Sequence, residues 1–255
     1  MTKAVILTSQ RSGSTFLVSC LQSHPDILCR GEMLITGGGA TVPRVLQGRP
    51  PLPFALRSAV KLGRFVRSGA WNSTRTMRRF YQTEGPKALV FKAMYNHLSV
   101  PWTRRYLEQS REIRILHLRR ENLLKQHVSC LLLTQSRDRK WQPHATEPVP
   151  PIRIHVSPQA ALRDMRRVNA LYTHFEHVFR DHQRLGLVYE QIIDGQVLRA
   201  PIAAAVCNFL GVPQRQLSSP LIKINPEKLS DMVINYDELA DAVGRSEFAH
   251  LLDAA

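Results

Sequence analysis

Six residues, Gln10-Arg11-Ser12-Gly13-Ser14-Thr15, stand between a short apolar run and a helix-patterned one, and no other stretch constrains the chain as much. Ala4 to Thr8 reads as a strand, and Ser14 to Ser23 repeats Phe16, Leu17, Cys20 and Leu21 at helical spacing. A strand that turns directly into a helix points free backbone N–H groups at one spot, where the helix dipole adds about half a positive charge. Ser and Thr hydroxyls supply further donors, Gly13 permits close backbone approach, and the Arg11 guanidinium matches phosphate oxygens. The same residue types also serve plain turn and cap geometry, so the loop needs company before it implies chemistry.

A kinase or NTPase loop has the form G-x-x-x-x-G-K-[ST], with the hydroxyl ligating magnesium. The preceding glycine and the lysine are missing here, and no apolar strand ends in an aspartate that would hold the ion. The loop therefore reads as built for a phosphate-like group handled without a metal.

Further strands are expected at Ala88 to Phe91, Ile113 to Leu118 and Leu185 to Val188. Helices are expected around Trp102 to Gln109, Asn122 to Thr134, Pro158 to Arg180 and Val197 to Leu210, the last stopped by Gly211. Strands alternating with helices predict an α/β fold: one P-loop-like domain over residues 1–255, with a central parallel sheet of about five strands and helices on both faces. The 44% hydrophobic content is enough for such a core. No apolar run is long enough to span a bilayer and no signal-peptide pattern opens the chain, so a cytoplasmic protein is expected. Cys20, Cys29, Cys130 and Cys207 lack metal-ligand spacing and read as small buried hydrophobes.

The formal charge of +15 is unevenly placed. Residues 33–83 contain no Asp or Glu, yet include Arg44, Arg49, Arg57, Lys61, Arg64, Arg67, Arg75, Arg78 and Arg79. This reads as a basic insertion between the first two strands. Arg57, Lys61 and Arg64 would line one face of an amphipathic helix, and peripheral contact with a membrane is one expectation for it. A second irregular segment, 139–158, holds five prolines and reads as a loop. No zinc-finger, basic-zipper or RNA-binding signature accompanies the charge, so no nucleic-acid partner is expected.

Taken in order, the motifs resemble those of sulfotransferases that use 3′-phosphoadenosine 5′-phosphosulfate, in particular bacterial carbohydrate and nodulation-factor-type members. The resemblance rests on Arg11-Ser12-Gly13-Ser14-Thr15, Ser23-His24-Pro25, Gly31-Glu32, Phe91-Lys92, Arg120-Glu121-Asn122 through Ser129, Tyr189-Glu190, Phe209-Leu210-Gly211-Val212 and Asn235-Tyr236-Asp237-Glu238-Leu239. It implies that Arg11, Ser12, Gly13, Ser14 and Thr15 grip the 5′-phosphosulfate, and that Ser129 with Arg120, or with Arg119, binds the 3′-phosphate. It also implies Glu32 as the base for an acceptor hydroxyl, with His97 as the alternative, and Lys92 beside Arg11 stabilising the transferring group. Tyr189-Glu190 and the stretch Lys223 to Leu239 shape the pocket without assigned chemistry, with Lys223 or Lys228 near the 3′-phosphate.

The implied activity is transfer of a sulfuryl group to a hydroxyl of a carbohydrate, glycolipid or other small molecule. Two other readings stand beside it. One is a basic protein that binds polyanions or membrane surfaces through 33–83 and carries a vestigial loop. The other is a small-molecule kinase.

Overall fold

The computed structural model describes residues 1–34, 70–135, 152–222 and 228–252. Its frame is an all-parallel five-stranded sheet in the order β2-β3-β1-β4-β5. The strands are β1 (Thr2–Thr8), β2 (Ile27–Glu32), β3 (Ala88–Met94), β4 (Arg114–Arg119) and β5 (Arg184–Val188). Central strands of a parallel sheet are covered on both faces and so need near-continuous apolar runs, which Ala4–Leu7, Ala88–Phe91 and, interrupted by His117, Ile115–Leu118 provide.

Side-chain alternation divides the core in two. Ala4, Ile6, Val90 and Leu116 pack with α1 (Ser14–Gln22) and with α7 (Ala200–Leu210), through Leu17, Leu21, Val206 and Leu210. Val5, Leu7, Phe91 and Ile115 pack on the other face, where helices α2 (Ala70–Phe80), α3 (Pro101–Gln109), α4 (Leu123–Gln135), α5 (Pro158–Val178) and α8 (Tyr236–Gly244) lie. A single turn, α6 (Tyr189–Ile192), follows β5 directly.

Local signals explain the helix boundaries. Asn122 Oδ1 accepts the N–H of Lys125 at 2.8 Å and starts α4. Ser157 caps α5 with Pro158 in its first turn, and Gly211 ends α7 at φ +68°.

Three expectations are corrected. Ile27–Glu32, absent from the expected strands, forms β2. Its apolar content is thin, and the edge of β3 recruits it, pairing Ile27 with Ala88. The basic segment 33–83 consequently lies between β2 and β3, the second and third strands. Its end forms α2, whereas Arg57, Lys61 and Arg64 lie outside the described residues. Val197–Leu198 pairs with Ile193–Asp194 as a short hairpin, so the helix expected from Val197 begins at Ala200. Of the proline-rich stretch, 136–151 lies outside the described residues, and 152–157 is irregular apart from Ile154, which is bridged to Val233.

Four cysteines are free. Cys20, Cys29 and Cys207 are buried and Cys130 half-buried, and burial pushes the thiols of Cys20, Cys29 and Cys130 up to about 12. His182 is buried with Nε2 2.9 Å from the Leu107 carbonyl, while His174 and His177 are exposed. No helix among the described residues is long and apolar enough to cross a membrane.

From β1 the chain leaves to one side for β2 and β3, then crosses back to β4 and β5. The carboxyl end of β1 is therefore a topological switch point, where open α/β sheets form ligand crevices.

Beside that crevice His117 of β4 is buried, with Nε2 2.6 Å from the hydroxyl of Tyr95, whose ring stacks on Phe175. Burial, helped by the charges of Arg184 and Arg119, lowers His117 from 6.5 to about 4. The unfolded chain takes up this proton at higher pH than the folded one. The associated stability is complete above about 6.5 and lost as pH falls toward 4, a change of roughly 3 kcal/mol. Urea unfolding at pH 7.5 and pH 4.5 should show that loss in the wild type and a smaller one in His117→Gln.

Candidate active site

All five strands deliver residues to the carboxyl edge of the sheet: the 9–13 loop after β1, Glu32 on β2, Lys92 on β3, Arg120 after β4, and Tyr189 with Glu190 after β5. The loop is tightly wound. Arg11 has φ +57° and Gly13 φ +82°, and Arg11 is the one described non-glycine residue in that region. Gly13 is the N-cap of α1 and, having no side chain, makes no side-chain cap hydrogen bond to the first turn. A Cβ on Gly13 would stand 2.0 Å from the ring of Tyr189, so the glycine is required by conformation and by contact.

Ser12 departs from the expected role of its hydroxyl. The group turns inward, 2.5 Å from Thr8 Oγ1, and donates to the Ser9 carbonyl at 3.0 Å. Thr8 Oγ1 donates in turn to the Leu118 carbonyl at 2.7 Å. These hydroxyls stitch the loop to β1 and β4, leaving Ser12 its main chain for a ligand. Ser14 is buried in the first turn of α1, and Thr15 beside it is half-buried.

Arg11 and the β4–α4 segment meet at the loop. Arg11 Nε donates to Ser129 Oγ at 2.9 Å, so Ser129, on α4, stands 118 residues away in sequence but in direct contact. Arg120 Nη1 donates to the Arg11 carbonyl at 3.2 Å, and its guanidinium lies over the Tyr189 ring, 5.0 Å from the centroid. Arg120 Nε is buried without a hydrogen-bond partner and 3.5 Å from Glu190 Oε1. Burial, joined by the like charge of Arg120, lowers the pKa of Arg11. Two guanidinium groups held this way in low dielectric are stabilised by a bound anion.

Arg119, the competing candidate, is 46% exposed and reaches Glu121 and Glu176 only at 4.0 Å. Its position at the end of β4 sends it toward α5 rather than to the loop, so of the pair it is Arg120 that contacts Arg11.

A polar network beneath the loop was not anticipated from the sequence. The Tyr172 hydroxyl accepts the N–H of Arg120 at 3.1 Å, donates to Gln126 Oε1 at 3.3 Å, and lies 2.9 Å from Ser9 Oγ. Gln126 Nε2 donates to Ser9 Oγ at 2.6 Å and to the Gln10 carbonyl. Glu190 accepts the N–H groups of Glu121 and Asn122 at 3.0 and 3.1 Å, fixing the start of α4. Gln126 had a readable signal, since it lies one turn before Ser129 on the same helix face. Tyr172 had none, because its partners are remote in sequence.

The third cluster surrounds Glu32. The β2–β3 register shifts between Arg30 and Glu32, and the extra residue, Gly31, brings Glu32 opposite Lys92. Lys92 Nζ is 2.7 Å from Glu32 Oε1, with the two side chains 8% and 21% exposed. Lys92 lies inside β3, two residues before its end, and is buried rather than solvated at a strand terminus. His97, in the 3-10 turn Tyr95–Ser99, places Nε2 3.9 Å from Glu32 Oε2, and burial lowers its pKa. Lys228 is exposed, and Lys223 lies outside the described residues.

Gly13→Ala tests the loop. A left-handed alanine costs roughly 1–2 kcal/mol before the clash with Tyr189 is counted. Urea denaturation should show a loss of at least that size.

No family model and no curated protein matches the chain. Among solved structures it is similar to a sulfotransferase from Alicyclobacillus acidocaldarius, at 17% identity over 100% of this chain and 97% of that one, with a TM-score of 0.49. It is also similar to the sulfotransferase domain of the Synechococcus PCC 7002 olefin synthase, at 19% identity over 83% of this chain and 74% of that one, with a TM-score of 0.40.

Proposed function

We propose that the protein transfers a sulfuryl group from 3′-phosphoadenosine 5′-phosphosulfate to a hydroxyl of a carbohydrate, glycolipid or other small molecule. The observation that carries this reading is the meeting of Arg11, Arg120 and Ser129 at the N-terminus of α1, with the Glu32–Lys92 pair on the neighbouring strands β2 and β3. A nucleotide with phosphate groups at both its 5′ and 3′ positions is a compact polyanion, and the buried Nε of Arg120, which faces Glu190 at 3.5 Å but makes no hydrogen bond, is a donor of the kind it satisfies.

In this reading the α1 N-terminus, the loop main chain and Arg11 hold the 5′-phosphosulfate, while Arg120 and Ser129 hold the 3′-phosphate. The reaction is an in-line displacement at sulfur. Glu32 takes the proton of the acceptor hydroxyl, and Lys92 and Arg11 neutralise charge developing on the sulfuryl and leaving oxygens. Lys92 is paired with Glu32 at 2.7 Å, so the arrival of an anion beside it weakens that pair and leaves the carboxylate freer to accept a proton.

Isothermal titration with adenosine 3′,5′-bisphosphate should show binding that Arg120→Ala weakens about tenfold to a hundredfold. Mass spectrometry of a hydroxyl-acceptor panel should find an added sulfo group. Glu32→Gln should lower kcat about 100-fold or more while bisphosphate affinity stays near wild type. Binding of ATP–Mg with none of the bisphosphate would instead favour a kinase.

A further inference from the structure

His97 makes one contact that decides what its ring can do. Its Nδ1 accepts the backbone N–H of Met94 at 3.2 Å. The lone pair of Nδ1 is thereby engaged, and a neutral imidazole so bonded carries its proton on Nε2. Burial, acting first and joined by the charge of Lys92 against the opposing pull of Glu32, keeps the ring on the neutral side. Nε2 thus presents an N–H toward Glu32 and has no lone pair with which to take a proton.

The spacing at Glu32 is equally specific. One carboxylate oxygen, Oε1, is engaged by Lys92 at 2.7 Å. The other, Oε2, lies 3.9 Å from His97 Nε2, too far for a direct hydrogen bond. An oxygen atom at hydrogen-bond distance from both groups would see them roughly at a right angle, a geometry a hydroxyl accommodates while accepting from one and donating to the other.

We propose that His97 is locked as the Nε2–H tautomer and that its N–H and Glu32 Oε2 together seat the nucleophilic oxygen of the acceptor, making the site selective for alcohols over amines. This rests on the sulfuryl-transfer reading above. The selectivity follows from counting lone pairs. A hydroxyl oxygen has two: one accepts from His97, and the other forms the new O–S bond. Its proton passes to Glu32, and the S–O bond to the nucleotide phosphate breaks with its electron pair leaving on the phosphate. A neutral amine has one lone pair, so accepting the His97 N–H removes the pair that must attack sulfur. His97 is therefore an acceptor-binding residue, not the alternative base.

The first test needs no turnover. Nitrogen-15 NMR of the imidazole of His97 at pH 7, in the whole protein with and without adenosine 3′,5′-bisphosphate, should show a protonated Nε2 and an unprotonated Nδ1. An Nδ1–H tautomer or an imidazolium overturns the proposal.

The second test uses paired acceptors identical except for –OH against –NH2. Wild type should sulfate the alcohol and discriminate against the amine. His97→Ala should lose about tenfold to a hundredfold with the alcohol, shrink the alcohol-to-amine ratio, and keep its bisphosphate affinity, which reports an intact fold. His97→Gln, which retains an N–H near the Nε2 position, should recover most of that loss. Gln as inactive as Ala, with an unchanged alcohol-to-amine ratio, overturns the seat. Failure of wild type to bind the bisphosphate or sulfate any acceptor overturns the sulfuryl-transfer reading and the seat with it, whereas a wrong tautomer overturns the seat alone.

Discussion

Two guanidinium groups, Arg11 and Arg120, share one corner of the sheet, and much of the surrounding structure keeps them there. Unsupported, like charges brought this close out of water repel, and each long side chain would prefer solvent. Here the Arg11 carbonyl accepts from Arg120, the Tyr189 face lies beneath the Arg120 guanidinium, and Ser129 accepts from Arg11. The loop that carries Arg11 accepts a positive φ at that residue, with the loop's hydroxyls and main chain bonded into β1, β4, α4 and α5. The fold thus maintains a preformed concentration of positive charge that an anion relieves.

The sheet topology determines which groups stand around that charge. Because β1 is central and its neighbours β3 and β4 come from later in the chain, residues near positions 10, 92 and 120 reach the same edge. The sheet separates two tasks. The side of β1 toward β4 builds the Arg11–Arg120–Ser129 cluster, and the side toward β2 and β3 builds the Glu32–Lys92–His97 cluster. In the proposed reaction the first holds the donor and the second supplies the base and the oxygen-orienting N–H.

The readable parts of the site were those with local grammar. Strand, turn and helix around 4–23 could be read because one short peptide carried the whole pattern, and Asn122 and Ser129 because they share one helix. Glu32 was readable as a residue but not as part of a strand: Ile27–Glu32 has the composition of a loop and becomes a strand because β3 offers it an open edge. Ser12 illustrates a different limit. Its type suits ligand binding, but packing gave its hydroxyl to Thr8 and Ser9 instead.

Sequence alone determined the parallel α/β class, the strand–turn–helix loop after β1 and the residue types able to perform the proposed chemistry, since these depend on apolar periodicity and on contacts within a few residues. Tertiary structure decided which copies of those residues are used. Arg120 rather than Arg119 meets the loop because the strand ends between them, and Tyr172 and Gln126 brace that loop from helices distant in sequence. The backbone of Met94 decides where the His97 ring accepts a hydrogen bond. Such choices are made by close packing and by satisfaction of buried hydrogen-bonding groups, which link residues without regard to their distance along the chain.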